Sequence, residues 1–364
     1  EQRYQGIIFD EMHYLRGESS MRTTVATELV KPIPYRIGLT GTPIINRPAE
    51  LVPQLRILGR LWLDDHQFKH RYCGPAQVWN GHRMVWEFRG HSNLDDLHEH
   101  LRAFAIRREK AAVAPELPRK QRTVLPVTLG NMAQYRRAEE EYVAWAEKNA
   151  DALRMARGMA SDEDWFLFEG KPPTAGQLGR LQGEQFRHLA KLRRLIAQGK
   201  RKLAVEWIKS FLPTGQKLLV FALTIEVQEA LRDAFPGCAS ILGEYSQRKR
   251  MEQVDRFQTD PSCPLMVASL KAAAEGLTLT ATNNVLVVEL PWAPTHLEQA
   301  EDRTHRIGQT LPVNVWLLVA AGTLEERILE ILDRKQQVAD RAVDGRSTTE
   351  ILTEMLRSGK GSRR

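Results

Sequence analysis

Asp10, Glu11 and His13 follow an apolar run, Gly6-Ile7-Ile8-Phe9, that reads as a buried strand. Ligands of open α/β sheets gather beyond the carboxyl ends of strands, so Asp10 there could hold Mg²⁺ while Glu11 polarises a water. A second apolar strand runs into Thr40-Gly41-Thr42-Pro43, where a glycine between two hydroxyls makes a tight turn able to sense a neighbouring phosphate or carboxylate. Near the other end stands Gln299-Ala300-Glu301-Asp302-Arg303-Thr304-His305-Arg306-Ile307-Gly308-Gln309. On a helix, Arg303 and Arg306 project from one face, where guanidinium groups can stabilise the charge of a phosphoryl group in transfer. Taken singly, each cluster also has a plainer reading: solvated acids at a strand end, a strand-to-helix turn with Pro48 opening the helix, a basic helix face in water.

Such residues need a scaffold that ends its strands where the chemistry sits. Strands at residues 6–9 and 36–40, a helical stretch over 19–30 and a helix from Pro48 give the alternation of a parallel α/β sheet. Residues 130–199 read as charged helix, broken at Lys171-Pro172-Pro173-Thr174. Strands then recur at 217–222, 239–242, 265–269, 285–290 and 313–319. The expected fold class is α/β in two lobes with parallel sheets: residues 1–128 for the first lobe, 129–200 for a helical linker, 201–322 for the second lobe and 323–364 for a C-terminal helix and basic tail. Leu324, Ile328, Ile331, Leu332 and Val338 lie at helical spacing, which predicts that this helix packs back on a lobe. Glu1 in place of Met, directly ahead of a strand, predicts a first lobe that is N-terminally incomplete and a chain taken from a longer product, by truncation or by a split.

Composition narrows the class. Apolar residues at 42 % and charged residues at 27 % suit a globular chain rather than a disordered one. No apolar run approaches a bilayer span and the N-terminus lacks a secretory layout, so no membrane is expected. Cys73, Cys238 and Cys263 are widely spaced, which excludes a disulfide framework and points to a cytoplasmic protein, nucleoid-associated if bacterial or phage. The net charge of +7 suits a polyanionic partner without demonstrating one.

The order of Asp10-Glu11-x-His13, Thr40-Gly41-Thr42-Pro43-x-x-Asn46, Ser269-x-x-Ala272-x-x-x-Gly276-Leu277 and Gln299-Ala300-x-x-Arg303-x-x-Arg306-Ile307-Gly308-Gln309 resembles the Swi/Snf family of superfamily-two ATPases, the double-stranded DNA translocases, and within it the annealing-helicase branch. Phe68 with Arg71-Tyr72-Cys73, Ser92-Asn93-Leu94, Arg107-Arg108-x-Lys110, Leu117-Pro118-x-Lys120-Gln121-Arg122 and Glu289-Leu290-x-Trp292 extend the match over nearly all of the chain outside the linker and the tail.

The resemblance implies two RecA-like lobes, ATP and Mg²⁺ as cofactors, and duplex or branched DNA as partner. It assigns Asp10 to Mg²⁺, Glu11 to water activation, and His13, Thr40 and Thr42 to relaying nucleotide state. Arg303 and Arg306 become arginine fingers from the second lobe, Gln299 a nucleotide-side contact, and Gly276 the point of close backbone approach. Arg250 and Trp292 match positions used at DNA. The sequence departs from the family where Ala273 and Ala274 replace paired glycines and Ala293 replaces an Asn. The largest departure is that no G-x-x-x-x-G-K-[ST] phosphate loop occurs. The expected partner is therefore an upstream RecA-like segment, in the same or a partner chain, without which the 364 residues bind ATP weakly and hydrolyse it little.

Two other features belong to the reading. The basic stretch from Arg187 to Arg194, continued by Lys200-Arg201-Lys202, reads as a solvated linker face, with phosphate contact as the alternative. His66, His70 and Cys73 have helical metal-ligand spacing but are one ligand short of a structural zinc site. Beside the motor stands a non-catalytic reading, a DNA- or protein-binding half of a split helicase. An RNA helicase of the same superfamily fits less well, because the form of the Gln299–Gln309 motif resembles the DNA translocases.

Overall fold

The structure is a computed structural model that describes residues 4–44, 47–80, 82–88, 90–108, 110–149, 175–270, 277–291, 294–330 and 332–333. Gly276 and Trp292, with Ala273, Ala274 and Ala293, lie outside the described residues. The chain divides into two compact units, the first containing Glu1–Arg107 and the second Arg108–Lys148 and Leu181–Leu332.

In the first unit β1 (Gly6–Phe9) and β2 (Tyr35–Gly38) pair in parallel, Gly6 opposite Tyr35 and Phe9 opposite Gly38. Between them runs α1 (Met21–Leu29), capped by the Ser20 hydroxyl, which accepts the Thr23 N–H at 3.2 Å. Next come α2 (Leu51–Leu58), α3 (Asp65–Tyr72), an antiparallel hairpin of β3 (Ala76–Trp79) and β4 (Met84–Glu87), and α4 (Leu94–Arg102). Strand alternation sends Ile7 and Phe9 toward a core of Met12, Leu15, Ala26, Val30 and Ile57. The opposite face carries Ile8, Tyr35 and Ile37, which are 64 %, 71 % and 53 % exposed. The expected buried strand is thus buried on one face only. Met21, Val25 and Leu29, one turn apart on α1, are exposed as well.

The second unit opens with α5 (Lys110–Val113), β5 (Lys120–Val127), α6 (Met132–Lys148) and, from Leu181 onward, the long α7 (Ala175–Phe211). An α/β alternation follows: β6 (Leu218–Ala222), α8 (Ile225–Ala234), β7 (Ala239–Ile241), α9 (Gln247–Thr259), β8 (Leu265–Ser269), β9 (Asn284–Val287), α10 (Pro294–Glu301) and β10 (Val313–Ala320). The strands form one six-stranded parallel sheet in the order β5-β10-β9-β6-β8-β7. β6, β8 and β9 are buried throughout, because both faces of the sheet are covered. One face packs on Phe221, Phe257, Met266 and Val287, the other on Ile208, Val220, Leu231 and Leu286.

Two segments sit differently from the boundaries read in the sequence. β5, expected at the end of the first lobe, pairs with β10 over its full length, Lys120 opposite Val313 and Val127 opposite Ala320. α7 runs unbroken past the expected limit at residue 200, and its Ala197, Ala204 and Ile208 line the sheet core. Ile328 and Leu332 join the opposite core, whereas Ile331 and Val338 lie outside the described residues. Among the described residues no helix is long and apolar enough to cross a membrane.

Candidate active site

At the carboxyl end of β1 the backbone turns sharply. Glu11 has φ 49° and ψ 49°, a left-handed conformation adopted among the described non-glycine residues only here and at Asn93. Holding a non-glycine residue there costs of order 1–3 kcal/mol, and such strain gathers at sites where geometry matters. The turn is fixed by Asp10 Oδ1, which accepts the Glu11 N–H at 2.9 Å, and by the Met12 N–H, which donates to Leu39 O at 2.9 Å. Asp10 is an exposed carboxylate at the carboxyl end of β1, and its oxygen chemistry fits Mg²⁺.

His13 is 3 % exposed, and its Nδ1 lies 3.1 Å from Glu11 Oε2 and 3.0 Å from Thr40 Oγ1. Burial pushes its pKa below the ordinary 6.5, against the pull of the Glu11 carboxylate. A neutral ring with the proton on Nδ1 faces both oxygens as a donor, and the carboxylate selects that tautomer. Thr40 Oγ1 also accepts the Thr42 N–H at 3.2 Å. Glu11, His13, Thr40 and Thr42 therefore form one hydrogen-bonded chain joining the ends of β1 and β2. Two residues hold its far end: Gln54, which the sequence reading missed, donates from Nε2 to Pro43 O at 2.9 Å, and Arg107, matched there only as part of a motif, donates from Nη1 to Gly41 O at 2.8 Å. Gln54 lies in an apolar helix and is 3 % exposed, and a lone amide there was the available signal.

In the second unit α10 ends at Glu301, and Arg303 and Arg306 follow in tight turns rather than on the expected helix. Just past the helix the Thr304 hydroxyl donates to Glu301 O at 2.9 Å. The turns still bring the two guanidinium groups together. Arg303 Nη1 and Arg306 Nη1 each donate to Leu277 O at 3.3 Å, Arg306 Nη1 also reaches Thr278 Oγ1 at 3.1 Å, and Arg303 Nε donates to Gln299 O at 3.0 Å. In sequence, Leu277 directly follows the Lys271–Gly276 stretch. Gln299 is half-buried on α10. Arg250, in the first turns of α9, donates from Nη2 to Gly243 O at 3.1 Å, and Lys249 lies 3.8 Å over the Tyr245 ring.

Buried charge gives three residues named in the sequence a structural role that their motifs did not announce. Glu289 Oε2 accepts the N–H groups of Leu223 and Thr224, each at 2.9 Å, and the Thr224 hydroxyl at 3.1 Å, tying the ends of β6 and β9. Lys200 is wholly buried, ion-paired with Glu325 and donating to Val288 O and Leu318 O. Burial pushes its pKa down while Glu325 opposes that. Arg193 Nη2 donates to Leu290 O at 2.7 Å. The basic stretch is therefore split: Arg187, Lys191, Arg194 and Lys202 are exposed, whereas Arg193 and Lys200 turn inward. The His66–His70–Cys73 set does not converge. His66 Nε2 and His70 Nε2 are 3.0 Å apart, but Cys73 is buried in the apolar core, where burial pushes its thiol up to about 12. Among the described residues no three His, Cys, Asp or Glu side chains could share a metal ion.

The SNF2-related domain family matches residues 1–165, and the helicase conserved C-terminal domain family matches residues 200–308. The mouse DNA annealing helicase and endonuclease ZRANB3 is 32 % identical over 362 residues, covering 97 % of this chain and 31 % of that protein. The Drosophila melanogaster SWI/SNF-related matrix-associated actin-dependent regulator of chromatin subfamily A-like protein 1 is 30 % identical over 347 residues, 94 % of this chain and 42 % of that one. The chain thus spans 31 % and 42 % of the length of these two relatives. The solved Sulfolobus solfataricus SWI2/SNF2 ATPase core in complex with dsDNA aligns with a TM-score of 0.44 at 24 % identity, over 94 % of this chain and 70 % of that one.

Proposed function

We propose that this chain, which belongs to the Swi/Snf family of helicase-type motors, uses ATP hydrolysis to move on or remodel duplex or branched DNA. Glu11 orients and activates the attacking water, and Asp10 holds the Mg²⁺, which when bound neutralises phosphate charge. His13, Thr40 and Thr42 report the state of Glu11 along their hydrogen-bonded chain. Arg303 and Arg306 leave the Leu277 carbonyl to stabilise the γ-phosphate in transfer, with Gln299 beside the nucleotide. Gly276 lets the backbone approach the same cleft. Arg250 and Trp292 contact DNA, so affinity falls with salt. The relative named a DNA annealing helicase supports DNA as the partner.

The observation that carries this reading is the left-handed Glu11 hydrogen-bonded through His13 to Thr40. Neither a solvated strand end nor a simple turn requires a strained carboxylate wired to a buried imidazole. The test is Glu11→Gln in the motor supplied with its phosphate loop. Turnover falls by about 10²–10⁴-fold while nucleotide binding persists. A variant that keeps DNA-stimulated ATPase activity contradicts the reading.

We also infer that an upstream RecA-like segment, in the same or a partner chain, covers the exposed face of β1 and β2 and supplies the phosphate loop. Two paired strands are marginal alone, and parallel sheets are ordinarily covered on both faces. The exposed Ile8, Tyr35, Ile37 and Leu39 give that segment an apolar seat. The 364 residues alone then turn over little ATP, and robust ATPase activity by them alone contradicts this. A non-catalytic half that never meets a phosphate loop remains the second reading. It is favoured if adding the segment restores no hydrolysis.

A further inference from the structure

We infer that the segment from Lys110 to Arg122, through which the chain enters the second unit, is the positioning element of the arginine pair. This inference rests on the proposed role of Arg303 and Arg306 at the phosphate.

Glu301 is fully buried two residues before Arg303. A carboxylate there is costly unless paired and hydrogen-bonded, and it is met by a fork. Arg122 Nε lies 2.6 Å from Oε1 and Nη2 2.9 Å from Oε2, while Lys120 Nζ lies 2.7 Å from Oε2. Burial alone would raise the pKa of Glu301, but these two cations overcome it and hold the group below the usual carboxylate range. The next residue, Asp302, takes Lys110 Nζ at 2.5 Å and Lys120 Nζ at 3.6 Å.

The clamp continues to the far end of the turn. His305 Nε2 lies 2.8 Å from Pro118 O, and its Nδ1 is buried with no hydrogen-bond partner among the described residues. A carbonyl can only accept, so the ring donates from Nε2. Lys110 Nζ reaches the His305 carbonyl at 3.4 Å. On its other side the turn is pinned by the Leu279 N–H, which donates to Arg303 O at 2.8 Å. Residues 301, 302 and 305 thus bracket Arg303 and precede Arg306, and each is held from the 110–122 segment. An ion pair serving only to fix an edge strand has no need of three successive anchors on the turn that carries both arginines.

The arrangement predicts that Arg122→Lys, which keeps the charge but removes the fork, displaces the turn. A misplacement of about 1 Å costs about 10²-fold in rate. In the full-length motor, Arg122→Lys and Lys120→Arg are therefore expected to lower kcat for ATP by about 10–10²-fold with KM little changed. In an Arg303→Ala/Arg306→Ala background, Arg122→Lys causes little further loss, because its effect runs through those two arginines. The inference is overturned if Arg122→Lys and Lys120→Arg leave kcat intact, or if Arg122→Lys lowers it equally in both backgrounds, the mark of a structural role. Arg306→Ala losing turnover while Arg122→Lys keeps it overturns this inference alone. Arg306→Ala keeping turnover overturns the arginine assignment, and this inference with it.

Discussion

The two units support their candidate site residues in opposite ways. The first presents Glu11 at the end of a two-stranded sheet whose outer face is bare, with Ile8 64 % and Tyr35 71 % exposed. Its site is ordered locally, by a strained backbone and a short hydrogen-bonded chain from Glu11 through His13 to Thr40. The second presents Arg303 and Arg306 beside a six-stranded sheet covered on both faces, with their turn gripped by buried charge. A small local network can place one carboxylate. Two long guanidinium side chains, with more rotamer freedom to lose, call for anchors drawn from distant parts of the chain.

The sharpest break of this contrast comes from the arginines. Arg306→Ala in the complete motor lowers kcat by about 10³-fold or more, and a loss below about tenfold removes the finger role. On the scaffold of the second unit, Lys200→Met strands Glu325 and two carbonyls, so chemical denaturation of that unit shows a loss of about 3–5 kcal/mol. Glu325→Gln gives a loss of the same order, and an unchanged midpoint in both contradicts the buried pair.

The local network of the first unit is tested by pH. A His whose folded pKa lies below its ordinary 6.5 takes up fewer protons when folded than when unfolded. Its contribution is intact above pH 6.5 and is lost as pH falls through the window beneath that value. His13→Gln flattens this part of the stability profile, and NMR of the wild-type imidazole shows titration displaced below 6.5. A His13 signal titrating at or above the ordinary value contradicts its burial as a neutral group. The smallest effect belongs to Arg250. Arg250→Ala weakens DNA binding uniformly across sequences and reduces the slope of log K against log salt by about 1.

Much of the site was legible because its residues come in short, ordered motifs at strand ends. Asp10, Glu11, His13, Thr40 and Thr42 lie within two stretches of the sequence, and strand alternation alone brings those stretches side by side. The grip on the arginines was not legible in that way. Glu301 and its partners Lys120 and Arg122 are about 180 positions apart, and lysine or arginine on an edge strand reads as solvated until the partner carboxylate is known to be buried. The pairing of β5 with β10 was hidden for the same reason, since parallel pairing leaves no local turn signal. Arg193 and Lys200 sit in runs of cations, where charge pattern hides those that point inward. The alternation of Ile7 and Phe9 against Ile8 was visible, but burial of only one face depends on what covers the other.

The shared-phosphate assignment is tested most directly by single-turnover ATP hydrolysis in the complete motor, comparing Glu11→Gln, Arg306→Ala and the two combined. If both groups act on one γ-phosphate, each single variant is severely slowed and the combination is scarcely slower than the worse of them. Losses that multiply in full, or either single variant hydrolysing ATP at the wild-type rate, contradict it.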